Sequence, residues 1–141
     1  MRFRTLACLS LVAGACAVAA TGFPRRIGLT ASQADVSLPG DLVLPGANVV
    51  VDRGIAIDAP ASTVWDVLGH VFEPEDESPV TCVIALLPLS PSRTLLHIRE
   101  RHVAQGRERA LAWAGVTAES LSSLSMLRDL RDACVGGLVD A

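Results

Sequence analysis

The sequence predicts an α+β fold in which an antiparallel sheet packs on a long C-terminal helical region. Three observations carry this expectation. Residues 49–57 place Val51, Ile55 and Ile57 on one side of an extended chain and Asp52 and Gly54 on the other. Residues 81–103 read as two strands joined by a Ser-Pro-Ser-Arg turn. From residue 107 onward the apolar residues recur at helical spacing.

At 141 residues, the chain holds at most one ordinary domain. Its formal net charge of -3 excludes the strongly basic footprint of a nucleic-acid binder. Every basic residue is arginine. The apolar fraction leans on Ala, Val and Leu, and much of it lies in the first two dozen residues.

Residues 1–26 read as a targeting segment. Arg2 and Arg4 precede an uncharged apolar run over residues 5–24, and Arg25 and Arg26 close it. The run has no polar face at helical spacing, which argues against a soluble core helix. Ala17-Val18-Ala19 and Ala13-Gly14-Ala15 both offer small-x-small cleavage sites. The run is equally long enough to cross a bilayer as an uncleaved anchor, and Cys16 after Ala13-Gly14-Ala15 weakly resembles a lipid-attachment site. The expectation is a membrane-anchored or secreted protein, with the side of the membrane left open because two arginines flank each end.

Residues 27–47 read as a connector rich in Ser, Thr, Gly and Pro, with Pro-Gly turns after Leu38 and Leu44. The folded part is expected over residues 48–135, with 136–141 as a tail. Its first strand covers residues 49–57, with Arg53 interrupting the apolar side. Asp58 is placed to cap a helix over residues 61–68 that Gly69 ends. Val64, Trp65 and Leu68 form that helix's packing stripe. Residues 69–79 carry four acidic side chains, Glu73, Glu75, Asp76 and Glu77, together with Pro74 and Pro79, and read as a solvated loop. A strand over residues 81–87, apolar on both faces, is expected to be covered on both. Its hairpin partner spans residues 94–103. A short helix over residues 107–114 is expected to break at Gly115, with a second, capped by Thr117, running from residue 118 to about 134. Leu121, Leu124, Leu127 and Leu130 recur every three residues and predict a broad apolar face on it.

The stretch from Val51 to Leu68, an alternating strand running into Ala59-Pro60 and then a helix bearing Val64-Trp65, resembles the opening of SRPBCC (START-like, polyketide cyclase-type) domains. Leu38-Pro-Gly-Asp41 resembles the lead-in of a membrane-anchored bacterial branch. Val83 to Leu89 with Ser92 to Leu96 resembles that family's late strands, and Met126-Leu-Arg-Asp-Leu130 its last helix. The resemblance implies a helix-grip fold, a curved antiparallel sheet wrapped around a long C-terminal helix with an apolar cavity between them. Here the chain is shortened, because several strands and helices the family places after the Val-Trp helix are replaced by residues 69–79. A three-stranded remnant leaves edges and an apolar face exposed, to be covered by a membrane, a partner or a second copy.

His97, Arg99 and Arg101 alternate on one face of the last strand, with Glu100 and His102 on the other. A cationic face of this kind suits a carboxylate or a lipid headgroup; the plainer reading is an exposed strand end with scattered charge. His70, His97 and His102 have no metal-ligand spacing, and residues 73–77 lack the alternating oxygen ligands of a calcium loop. No nucleophile motif and no phosphate-cradling glycine loop is present, so neither a catalytic residue nor a cofactor is assigned. Cys82 and Cys134 suit either a disulfide staple, in an oxidising compartment, or two buried thiols.

Together these readings predict a non-catalytic START-like domain that binds an apolar small molecule or lipid near a membrane. Trp65, His97, Arg99, Trp113 and Leu124 are the candidate ligand contacts. The alternative is an interaction protein whose exposed apolar face pairs with a partner or with itself, or a degenerate relative that binds nothing.

Overall fold

A computed structural model of the chain describes residue 18 and residues 20–69 and 81–136. The targeting segment lies largely outside the described residues, as do the acidic stretch after Gly69 and the last five residues. Among the described residues no helix is long and apolar enough to cross a membrane.

The centre of the fold is the strand expected from alternation, β2 (Val49–Ile57). It pairs antiparallel with β4 (Arg93–His102), which in turn pairs antiparallel with β3 (Thr81–Ser90). A two-residue strand, β1 (Arg26–Ile27), joins β2 in parallel, giving a four-stranded mixed sheet in the order β1-β2-β4-β3. Asn48 extends the β2–β4 pairing past the strand end. Its side chain donates to the Ala104 carbonyl at 2.8 Å and accepts the Ala104 N–H at 3.1 Å.

One face of the sheet carries the C-terminal helix. Helix α3 (Gly106–Gly136) runs unbroken for 31 residues. Gly115 therefore sits inside a helix, and Thr117 does not cap one: its hydroxyl donates back to the Trp113 carbonyl at 2.7 Å. A single glycine costs a helix only about 1 kcal/mol, less than the packing of the residues on either side returns. The buried stripe of α3 is Val116, Ser120, Leu127, Leu130 and Cys134. This is narrower than the leucine spacing predicted. Every-third-residue spacing drifts around a helix of 3.6 residues per turn, so Leu121 ends 79% exposed while Leu127 is wholly buried.

Helix α2 (Ala61–Gly69) packs beside α3 through Val64 and Leu68. Trp65, expected in the same stripe, is 63% exposed. The i, i+4 pair takes the packing direction, and the residue after Val64 lies about 100° around the helix from it. Asp58 does not cap α2. It lies exposed against Arg93 Nε at 3.1 Å, and the Pro60 carbonyl accepts the Val64 N–H at 3.1 Å.

Two apolar clusters fill the space between sheet and helices. One joins Ile57, Leu96 and Ile98 of the sheet to Val64, Leu68, Leu127, Leu130 and Cys134. The other joins Val49 and Val51 to Ala104 and Val116, with Trp113 packed against it. Cys82 and Cys134 are free thiols, so the disulfide staple is not formed. Cys134 lies in the first cluster, whereas Cys82 stands on β3 opposite Glu100, and its side chain is exposed. Desolvation pushes both thiols above their ordinary value, at Cys82 through the surrounding strand atoms rather than full enclosure, and Glu100 adds to the rise there.

The opposite face is not left bare. Residues 27–47, expected as a loose connector, pack across it and belong to the folded unit. Gly28, at φ 74, brings this segment so close to β2 that a side chain there would collide with the Gly54 carbonyl. Helix α1 (Ala31–Ala34) is held by a reciprocal cap: Thr30 Oγ1 accepts the Gln33 N–H and Gln33 Oε1 accepts the Thr30 N–H. A 3₁₀ turn (Pro39–Leu42) follows, its start fixed by Asp41 Oδ2 accepting the Leu38 N–H at 2.9 Å.

Strand β3 runs three residues further than predicted and is not covered on both faces. Its apolar side chains from Val83 to Leu87 are only half-buried. Among the described residues, its outer edge has no strand partner.

Candidate functional site

The residues singled out on β4 do share one face. His97, Arg99 and Arg101 point to the side covered by residues 27–47, and the strand alternation that predicted this is the reason. What they meet is the chain's own carboxylates. Asp52, directly opposite Arg99 on β2, accepts from Arg99 Nε at 2.7 Å and lies 2.7 Å from His97 Nε2 through the same oxygen. Arg99 then reaches out to the covering segment. Its Nη1 donates to Asp41 Oδ2 at 2.7 Å and to the Val36 carbonyl at 3.0 Å, and its Nη2 donates to the Ala34 carbonyl. Arg101 closes the set, donating to Asp41 Oδ1 and to the Leu44 carbonyl, both at 3.1 Å.

These five side chains form a row, His97, Asp52, Arg99, Asp41, Arg101, in which the two carboxylates alternate with the two guanidinium groups. His97 is fully buried and Arg99 is 5% exposed. Burial disfavours the charge on both Arg99 and Asp41. The carboxylates of Asp52 and Asp41 outweigh it for Arg99 and raise its pKa. The Leu38 N–H, Arg99 and Arg101 outweigh it for Asp41 and lower its pKa. The row is therefore neither a surface for an external carboxylate or headgroup nor an exposed strand end. It latches residues 34–44 onto the sheet. The His97–Asp52 pair has the partners of a general base, but it is closed to any reactant from solvent.

A second ion pair lies on the helix side. Arg53, which breaks the apolar run of β2, pairs with Glu100 between the two apolar clusters. Arg53 is 4% exposed, and its Nε has no partner among the described residues.

The other predicted ligand contacts do not converge with these or with one another. Trp65 faces outward on α2, and Trp113 packs in the second apolar cluster near the start of α3. Leu124 is half-buried on the flank of α3 away from Met126. His97 and Arg99 lie across the sheet from all three.

Among the described residues, an open space on the helix side lies elsewhere, in a groove of about 580 Å³ between α2 and α3. Val67 of α2 forms one wall. Ser122, Ser125, Met126, Asp129, Leu130 and Ala133 of α3 form the other, successive turns of one flank. None of these was singled out as a ligand contact. The i, i+3, i+4, i+7 spacing of residues 122, 125, 126 and 129 was available in the sequence, but their mixed polarity hides a lining face from a search for apolar periodicity. Among the described residues no three His, Cys, Asp or Glu side chains converge as metal ligands would.

Comparison of the chain with protein-family models, with curated proteins and with solved structures gives no match in any of the three.

Proposed function

We propose that the chain is a shortened START-like domain of helix-grip type, without a catalytic role, that holds an apolar small molecule or lipid near a membrane entered by its N-terminal segment. The observation that carries this reading is the groove between α2 and α3. It lies along the long C-terminal helix, against the helix that bears Val64-Trp65; the resemblance implies a cavity between that C-terminal helix and the sheet. The centre of that interface is filled by Leu96, Ile98 and Leu127, so the space for a ligand is displaced to the flank of α3. A volume of about 580 Å³ lies within the usual range of small-molecule sites.

The test is binding of an uncharged apolar fluorescent dye to the full chain and to Ala133→Phe, which fills the groove from α3. The expected result is dye binding by the parent, at least tenfold weaker binding by the variant, and cooperative melting of both. A well-folded parent that binds no dye, or a filled groove that binds it equally, overturns the reading.

One observation favours a second reading, an interaction protein that pairs with itself. Strand β3 (Thr81–Ser90) is uncharged along its length, and its outer edge is unpaired among the described residues. Sedimentation over a hundredfold concentration range separates the two readings. A strictly monomeric species removes this one.

A further inference from the structure

The lining of the α2–α3 groove also specifies the chemistry of what fits there. Its apolar part is Val67, Met126, Leu130 and Ala133. The methionine is unbranched and flexible, suited to an aliphatic body of variable outline. Among the described residues its only charged member is Asp129. The ion pairs among the described residues engage Asp41, Asp52, Asp58, Glu100 and Asp132 and leave Asp129 out. Neighbouring Arg131 is held by Asp132 at 2.8 Å. The Ser122 hydroxyl donates to the Glu119 carbonyl at 2.9 Å, so its proton is already engaged. Among the described residues the lining thus offers two hydroxyl groups and a negative charge, with no cation to receive an anion.

We infer that the groove takes a cationic amphiphile, an aliphatic body ending in an ammonium group that pairs with Asp129. This inference rests on reading the groove as a ligand site. An ammonium group has three donors and no acceptor, and it matches this lining. A carboxylate or phosphate headgroup would face Asp129 with no compensating charge. A neutral ligand gains from the apolar walls alone.

The experiment is titration calorimetry of the full chain with decylammonium, decanoate and decanol, each below its micelle concentration. Asp129→Asn and Glu108→Gln are measured in parallel. Glu108 lies in the first turn of α3, remote from the groove, and its substitution removes the same unit of charge. The expected order is decylammonium tightest, then decanol, then decanoate. Asp129→Asn is expected to weaken decylammonium by about three- to fivefold, the scale of a largely solvated ion pair. Decanol should be unchanged in that variant, and all three ligands should be unchanged in Glu108→Gln. Decylammonium binding no tighter than decanol overturns the inference, as does an equal loss in both variants, which would mark a net-charge effect. In either case, decanol binding that is lost in Ala133→Phe leaves the groove standing as a ligand site. No binding of any of the three by the folded chain overturns both.

Discussion

Asp52 and Arg99 stand directly opposite each other on β2 and β4, and their side chains meet at 2.7 Å on the covered face of the sheet. A cross-strand pair of opposite charge on an exposed face contributes only a few tenths of a kcal/mol to about 1 kcal/mol. Buried and tied through Arg99 to a second carboxylate, the same pair links the covering segment to the sheet.

Replacing Arg99 by Met removes the central cation and leaves Asp52 and Asp41 facing each other's charge in a water-poor site. Loss of one partner of a buried ion pair costs about 3–5 kcal/mol. Urea denaturation of Arg99→Met is expected to show a loss of that size. The triple variant that also carries Asp41→Asn and Asp52→Asn should recover part of it. No loss in the single variant would mean that the apolar packing of residues 27–47 alone holds them on the sheet.

Asp41 makes that latch pH-dependent, with a definite sign. Its carboxyl pKa is lowered in the folded chain, so the stabilisation is present in full above the unfolded value of about 3.9. It is lost as pH falls through the lower, folded value. Asp41→Asn is therefore expected to be less stable than the parent at pH 7 by about 1–3 kcal/mol, the scale of hydrogen bonds to a charged group. The gap should close below about pH 4. A gap that stays constant down to pH 2 would assign the loss to packing instead.

Two leucines six residues apart on α3 should behave oppositely. Leu127 is wholly buried between the sheet and α2, and Leu127→Ala is expected to cost about 2–5 kcal/mol. Leu121 is 79% exposed, and Leu121→Ala should stay within about 0.5 kcal/mol of the parent. Thermal melts of the pair measure the contrast. A large loss at Leu121 would show that something covers that flank of α3.

Gly115→Ala should stabilise the chain. The position is helical, and a methyl group there meets nothing within 4 Å. Removing the glycine's extra unfolded-state freedom is worth about 0.4–1 kcal/mol. A melting temperature that falls instead would mean that the helix bends at this residue.

The parts of the fold that were legible in the sequence are those set by local rules. The alternation of β2 put Asp52 and Gly54 on one face and Val51, Ile55 and Ile57 on the other. The hairpin turn placed β3 beside β4. The rest depends on partners distant in the chain. Residues 27–47 look like a connector because their four-residue helix and 3₁₀ turn are too short to have a periodicity. They are held by Arg99 and Arg101, whose own alternation was readable while their partners Asp41 and Asp52 were not. Arg53 was visible as an interruption of an apolar face, and only the β2–β4 register explains it through Glu100. On α3 the glycine at position 115 and the triplet spacing of leucines suggest a break and a broad face, whereas one buried stripe from Val116 to Cys134 decides the packing. The groove stayed hidden because its lining mixes serine, aspartate and methionine.

The arginine latch also imposes an order on biosynthesis. The groups on residues 34–41 that Arg99 grasps are separated from it by 58 to 65 positions. On a ribosome they emerge well before their anchor exists, and the sheet face they will cover is not assembled until β4 has followed. For that interval Asp41 and Asp52 are nascent-chain carboxylates without their guanidinium partners. A chain stalled before Arg99 should therefore leave the early segment open to protease, whereas one released after α3 should not.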